Sequence, residues 1–138
     1  MRAALLALVA IAGCAVGLGP LPAEVDALVD YLERRNLQLT PVDVAYDRAF
    51  ETVDPDAHVV TYGVTPTTQP ARRRPAAALM DVYLFASEAA LERGLDGLRR
   101  LHSRGQIYVD ERTVLYVRGD EPDLTVALGR RFGPPLDA

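Results

Sequence analysis

The chain has 138 residues, with 15 basic against 19 acidic side chains (formal charge −4), 49% hydrophobic residues and a single cysteine. That length suits one domain with a self-sufficient core, and the acidic balance argues against nucleic acid as a partner, because a phosphate backbone demands a basic face. All 15 basic residues are arginine; a GC-rich coding bias explains this, and the lack of lysine rules out Schiff-base chemistry and any P-loop or kinase-type lysine site.

The N-terminus carries one positive residue, Arg2, then an uncharged stretch from Ala3 to Gly19 that holds the four residues Ile11-Ala12-Gly13-Cys14. A short positive start, an apolar core, small residues and then the sole cysteine resemble a bacterial lipoprotein signal with its lipobox. The resemblance implies cleavage before Cys14, a diacylglycerol on its thiol and an exported, membrane-anchored protein. Ala15, in place of an Asp, leans toward the outer membrane in a cell that has two. Two other readings compete. The uncharged stretch is 17 residues, just under the roughly 20 a spanning helix needs, but its glycines and Pro20 make a poor helix end. Ala10-Ile11-Ala12 fits ordinary signal cleavage, which leaves an oxidisable unpaired thiol near the mature terminus. The expected organisation is a signal at 1–13, a tether at 14–21, a domain at 22–135 and a tail at 136–138. Loss of Arg2 with the signal leaves 14 arginines against 19 acids, a charge of −5.

Within the domain, Pro22 to Arg35 reads as a helix, with Val25, Leu28, Val29 and Leu32 on one face of a 3.6-residue period. Asn36 suits the left-handed position that stops it. Leu37 to Thr40 and Val42 to Tyr46 alternate as half-buried strand, and Pro41 between them predicts a bend or an edge strand. Tyr46 to Val53 suits a short helical turn, and His58 to Val64 a second strand. The segment 65–76, with Pro66, Pro70 and Pro75, predicts a long exposed loop.

Leu79 to Ala86 alternates with both faces largely apolar, as in a central strand covered on two sides, or covered on one and paired in an assembly. Ser87 suits a helix cap, and Leu91, Leu95 and Leu98 form the buried stripe of the helix that follows. Gly94 and Gly97 inside that helix predict close packing, since each costs roughly 1 kcal/mol relative to Ala. Asp110-Glu111-Arg112 predicts a tight hairpin between strands at 107–109 and 113–118. Asp120 suits the cap of a last helix that buries Leu124, Ala127, Leu128 and Phe132 and stops at Gly133-Pro134-Pro135. The order αβββαββα predicts a single α+β domain, an open antiparallel sheet of about four or five strands with helices on one face.

From Val82 to Pro135 the chain resembles a group of small predicted bacterial lipoproteins whose pattern runs close to "GNLIVLYVGDDP…L…LGPQF". Here it reads Thr113-Val114-Leu115-Tyr116-Val117-Arg118-Gly119-Asp120-Glu121-Pro122, then Leu128-Gly129 and Phe132-Gly133-Pro134-Pro135. Those proteins also begin with a lipobox and a helix, so the resemblance implies location and fold. It implies no activity, and this chain lacks the Trp and the His-Phe-Tyr cluster that precede their last strand.

Candidate sites are few. Asp54-Pro55-Asp56-Ala57-His58 spaces two carboxylates and an imidazole, but Val59 and Thr65 stand where a calcium loop needs Gly and Glu; a solvated turn accounts for it. Ser87 and Ser103 are the only serines, and His58 and His102 the only histidines. Ser87 is explained as a cap, while His102 and Ser103 are adjacent on a helix and do not face each other. No metal or cofactor is expected. Arg72-Arg73-Arg74 reads as a solvated loop tip or as a contact for anionic headgroups, at roughly 1 kcal/mol per Arg. Tyr62, Tyr83, Phe85, Tyr108 and Tyr116 fall on predicted strands, as core or as a binding platform on an uncovered sheet face. These readings predict a lipid-anchored envelope protein, a non-enzymatic module for an envelope partner. The alternative is a small envelope hydrolase using paired carboxylates.

Overall fold

The computed structural model describes residues 20–42, 56–68, 76–101 and 105–136. In chain order the elements are α1 (Ala23–Glu33), β1 (Leu37–Val42), β2 (His58–Pro66), β3 (Ala78–Leu84), α2 (Glu88–Leu101), β4 (Gln106–Asp110), β5 (Thr113–Gly119) and α3 (Pro122–Phe132). This is the expected α+β order. Cys14, the turn expected at 46–53, Arg72 to Arg74, and His102 with Ser103 lie outside the described residues.

The strands form one antiparallel sheet in the order β1-β2-β3-β5-β4. β1 is an edge strand and carries Pro41, opposite Tyr62; an edge has one row of N–H groups without a ladder partner, so a proline is tolerated there. β2 runs two residues further than expected, with Thr65 and Pro66 paired to Gln38 and Leu37. The backbone N–H of Thr67 closes that end on the Asn36 carbonyl at 2.8 Å. At the other edge Leu136, expected in the tail, bridges to Ile107 through a 2.7 Å backbone bond.

The helices do not share one face, contrary to expectation. Val25, Leu28 and Leu32 of α1 and Leu124, Ala127 and Leu128 of α3 pack with Val60, Tyr62, Met80, Val82, Tyr108 and Leu115. On the opposite face Leu98 of α2, with Leu91 and Leu95 partly buried, packs with Tyr83, Phe85, Ile107, Val114 and Tyr116. The period of two explains both clusters: in β3, Ala78, Met80 and Val82 point one way and Tyr83 with Phe85 the other.

Local signals set the element ends. Asn36 takes the left-handed conformation, φ 62°, after α1. Ser87 caps α2 by accepting from the Ala90 N–H at 3.1 Å. α3 is capped by Glu121 and not by Asp120: Glu121 is extended, at φ −130°, and its side chain accepts from the Asp123 N–H. Pro122 then supplies the first helical position, where its missing donor is no loss. The β4–β5 turn is Glu111-Arg112, with Glu111 at φ 54°. Arg112 ties the turn to the loop before α2, its Nη1 donating to the Ala86 carbonyl at 2.7 Å.

Gly94 is where α2 meets the sheet. A Cβ there would stand 2.2 Å from Cζ of Phe85, whose ring is buried and stacked near Tyr83. Gly94→Ala is therefore expected to destabilise the domain by about 1–2 kcal/mol, although Ala is the better helix former by about 1 kcal/mol. Urea unfolding should show a lowered midpoint for Gly94→Ala and relief of most of that loss when Phe85→Leu is added.

Candidate functional site

The five aromatic residues expected on strands do not make an uncovered platform. Tyr62 and Tyr108 lie under α1 and α3, and Tyr83, Phe85 and Tyr116 under α2. None is more than 4% exposed. They are packing residues, because a helix covers each face of the sheet.

The sheet face beneath α2 also carries a buried polar chain. Thr61 and Asp81 are cross-strand partners on β2 and β3. Thr61 Oγ1 donates to Asp81 Oδ1 at 2.5 Å, and Arg118 Nη2 donates to Oδ2 at 3.1 Å. His58 Nε2 lies 3.0 Å from Thr61 Oγ1, and its ring meets Tyr83 edge-on at 5.4 Å. The His58 ring nitrogen can meet that hydroxyl as donor or as acceptor, according to its tautomer. Asp81 is fully buried, while the Arg118 side chain beside it is 26% exposed, so the pair runs from the sheet interior toward its surface.

The second buried acid, Glu121, serves as the α3 cap. Asp81 and Glu121 thus sit on different elements, and each is engaged elsewhere. Of the Asp54–His58 segment, Asp56 and His58 are described. Among the described residues no three His, Cys, Asp or Glu side chains come together as a metal site. Among the same residues no helix is long and apolar enough to cross a membrane.

The surface over α1 and α3 has a different chemistry. Tyr31 of α1 donates its hydroxyl to the Ala127 carbonyl of α3 at 2.7 Å. Its ring lies 3.7 Å from the Arg35 guanidinium carbon and 4.9 Å from that of Arg131. Arg35 is also held by a 3.2 Å bond from Nη1 to the Tyr31 carbonyl. Beside this stack is an open cleft of about 300 Å³ lined by Arg35, Asn36, Thr68, Asp123, Val126 and Arg130. Val126 is 53% exposed, the large apolar side chain left in solvent among the described residues. Two further clefts lie at the other end of α1 and at the start of α2. Glu24, Asp110 and Glu111 line one, Glu88, Glu92 and Glu111 the other. Sequence reasoning missed the Arg35–Tyr31–Arg131 stack; the four-residue spacing of Tyr31 and Arg35 was the available signal, and Arg131 had none.

No family model, curated protein sequence or solved structure matches this chain. The fold and the two surfaces therefore stand on their own geometry.

Two core phenols give the domain an alkaline limit. Burial pushes the Tyr62 phenol above its ordinary value of 10.0, and the Asp26 and Glu33 carboxylates add to the effect. Burial alone raises Tyr108. The folded state holds these protons more tightly than the unfolded chain, so their contribution is complete below the unfolded value and is lost as pH rises through the folded one. The urea midpoint is expected to be insensitive to these groups up to about pH 9 and to fall above about pH 10. Circular dichroism of Tyr62→Phe and Tyr108→Phe should show a shallower fall.

Proposed function

We propose that this chain is an exported protein anchored to the bacterial cell envelope through lipid on Cys14, working as a non-enzymatic binding or assembly module. The observation that carries the reading is the N-terminal pattern: Arg2, an uncharged run, Ile11-Ala12-Gly13 and then the only cysteine. Likeness of the C-terminal half to small bacterial lipoproteins points the same way. The tether from Cys14 to Leu21 is eight residues, a reach of at most about 27 Å, so the domain would be held close to the lipid surface at the start of α1. The binding role is favoured over a paired-carboxylate hydrolase because Asp81 and Glu121, the buried acids among the described residues, are each already hydrogen-bonded to other groups. The exposed arginines Arg35, in the turn after α1, and Arg130, on α3, offer recognition chemistry instead, and Arg72 to Arg74 follow Thr68 of the cleft by four to six residues.

Intact mass spectrometry of the protein extracted from its native host tests the anchor. The expected species begins at Cys14 and carries diacylglyceryl mass, which disappears in Cys14→Ser. An unlipidated chain, uncut or cut elsewhere, would overturn the proposal.

A further inference from the structure

We infer that the cleft between α3 and the turn after α1 binds an amphiphilic monoanion, a phosphodiester or carboxylate group flanked by an apolar one. Three features converge there. The first is a pair of arginines in its lining, Arg35 from the turn after α1 and Arg130 from α3. Arg35 is restrained before any ligand arrives, by its stack on Tyr31 and its bond to the Tyr31 carbonyl; a restrained guanidinium loses less rotamer freedom on binding and offers a planar fork suited to such oxyanions. The second is Val126, more than half exposed on the same wall as Arg130, one helical turn away. An exposed apolar side chain in the same lining as two arginines suits a ligand that carries both charge and hydrocarbon.

The third feature sets the ligand charge. Asp123 lines the same cleft, so the arginines exceed the carboxylate by one charge, and a second negative charge on the ligand would meet Asp123. The wall itself is firm: Asn36 sits in its left-handed turn, and its carbonyl receives the Thr67 N–H. The other two clefts lack this combination, since carboxylates dominate their charged lining.

Such a group belongs equally to a phospholipid headgroup or to a free amphiphile. The headgroup source rests on the anchor proposed above. α1 has 11 residues, about 16 Å of helix, and the tether reaches about 27 Å, so the cleft lies within reach of the membrane that would hold Cys14. The free source does not depend on the anchor.

The test is a titration of the full chain, in neutral phosphatidylcholine nanodiscs, with dibutyl phosphate, followed by the amide resonances of Asn36, Thr68 and Val126. Saturable shifts are expected. They should weaken about fivefold in Arg130→Gln, the size of one exposed charge-assisted contact, and by a similar factor in Val126→Ser. Inorganic phosphate should bind more weakly than the diester. Absence of saturable shifts, or wild-type affinity retained in either variant, would overturn the inference. In phosphatidylglycerol nanodiscs, the same amides shifted before any addition would identify the bilayer as the source, and unshifted amides that still respond to dibutyl phosphate would identify a free ligand. An unlipidated mass would remove the anchor while leaving the dibutyl phosphate result to stand or fall alone.

Discussion

A carboxylate with no exposed surface sits in the central strand of this domain, and the sheet is organised around satisfying it. Asp81 on β3 takes a hydroxyl proton from Thr61 on β2 and a guanidinium contact from Arg118 on β5, one donor from each flanking strand. Removing an ion from water costs several kcal/mol, and an uncompensated buried charge is strongly destabilising. A one-residue slip of β2 or β5 would turn Thr61 or Arg118 to the other face and leave Asp81 without that donor. The polar chain thus acts on register, in a sheet whose remaining inward residues are apolar and would tolerate several pairings.

The same chain explains why the interior is not where function is sought. A hydroxyl, an imidazole and a carboxylate lie within hydrogen-bond reach there, but the carboxylate has no exposed surface and is held by Arg118. The strand aromatics are likewise consumed as packing against α1 and α3 on one face and α2 on the other. What remains is surface chemistry, and it is uneven. Carboxylates gather where α1 and α2 begin, while arginines stack on Tyr31 and line the cleft beside Val126. Part of that unevenness follows from helix dipoles, which favour acids at helix starts and arginines at helix ends.

Much of the fold was legible because local signals agreed with one another. The period of Val25, Leu28 and Leu32, the turn residue Asn36, the Ser87 cap and the stripe of Leu124 and Leu128 each needed only neighbours in sequence. Pro41 announced an edge strand for the same reason. The one-face arrangement was misjudged although Met80 and Val82 against Tyr83 and Phe85 already displayed two apolar faces; antiparallel order was weighted above strand composition. Asp120 was favoured over Glu121 as a cap by residue type, whereas the chain places the extended residue directly before Pro122. The role of Asp81 was not readable at all, because its partners lie 20 and 37 residues away. The cleft between α3 and the turn after α1 was hidden similarly, since Arg35 and Arg130 meet only through tertiary packing.

The most direct test of this account is a double-mutant cycle on Asp81 and Arg118, using Asp81→Asn and Arg118→Gln and equilibrium urea unfolding. A buried carboxylate held by Arg118 predicts that either single variant destabilises strongly and that the two are coupled by about 2 kcal/mol or more. Additive effects, with coupling within about 0.5 kcal/mol of zero, would contradict it and would mean that the Asp81–Arg118 contact does not align β3 with β5.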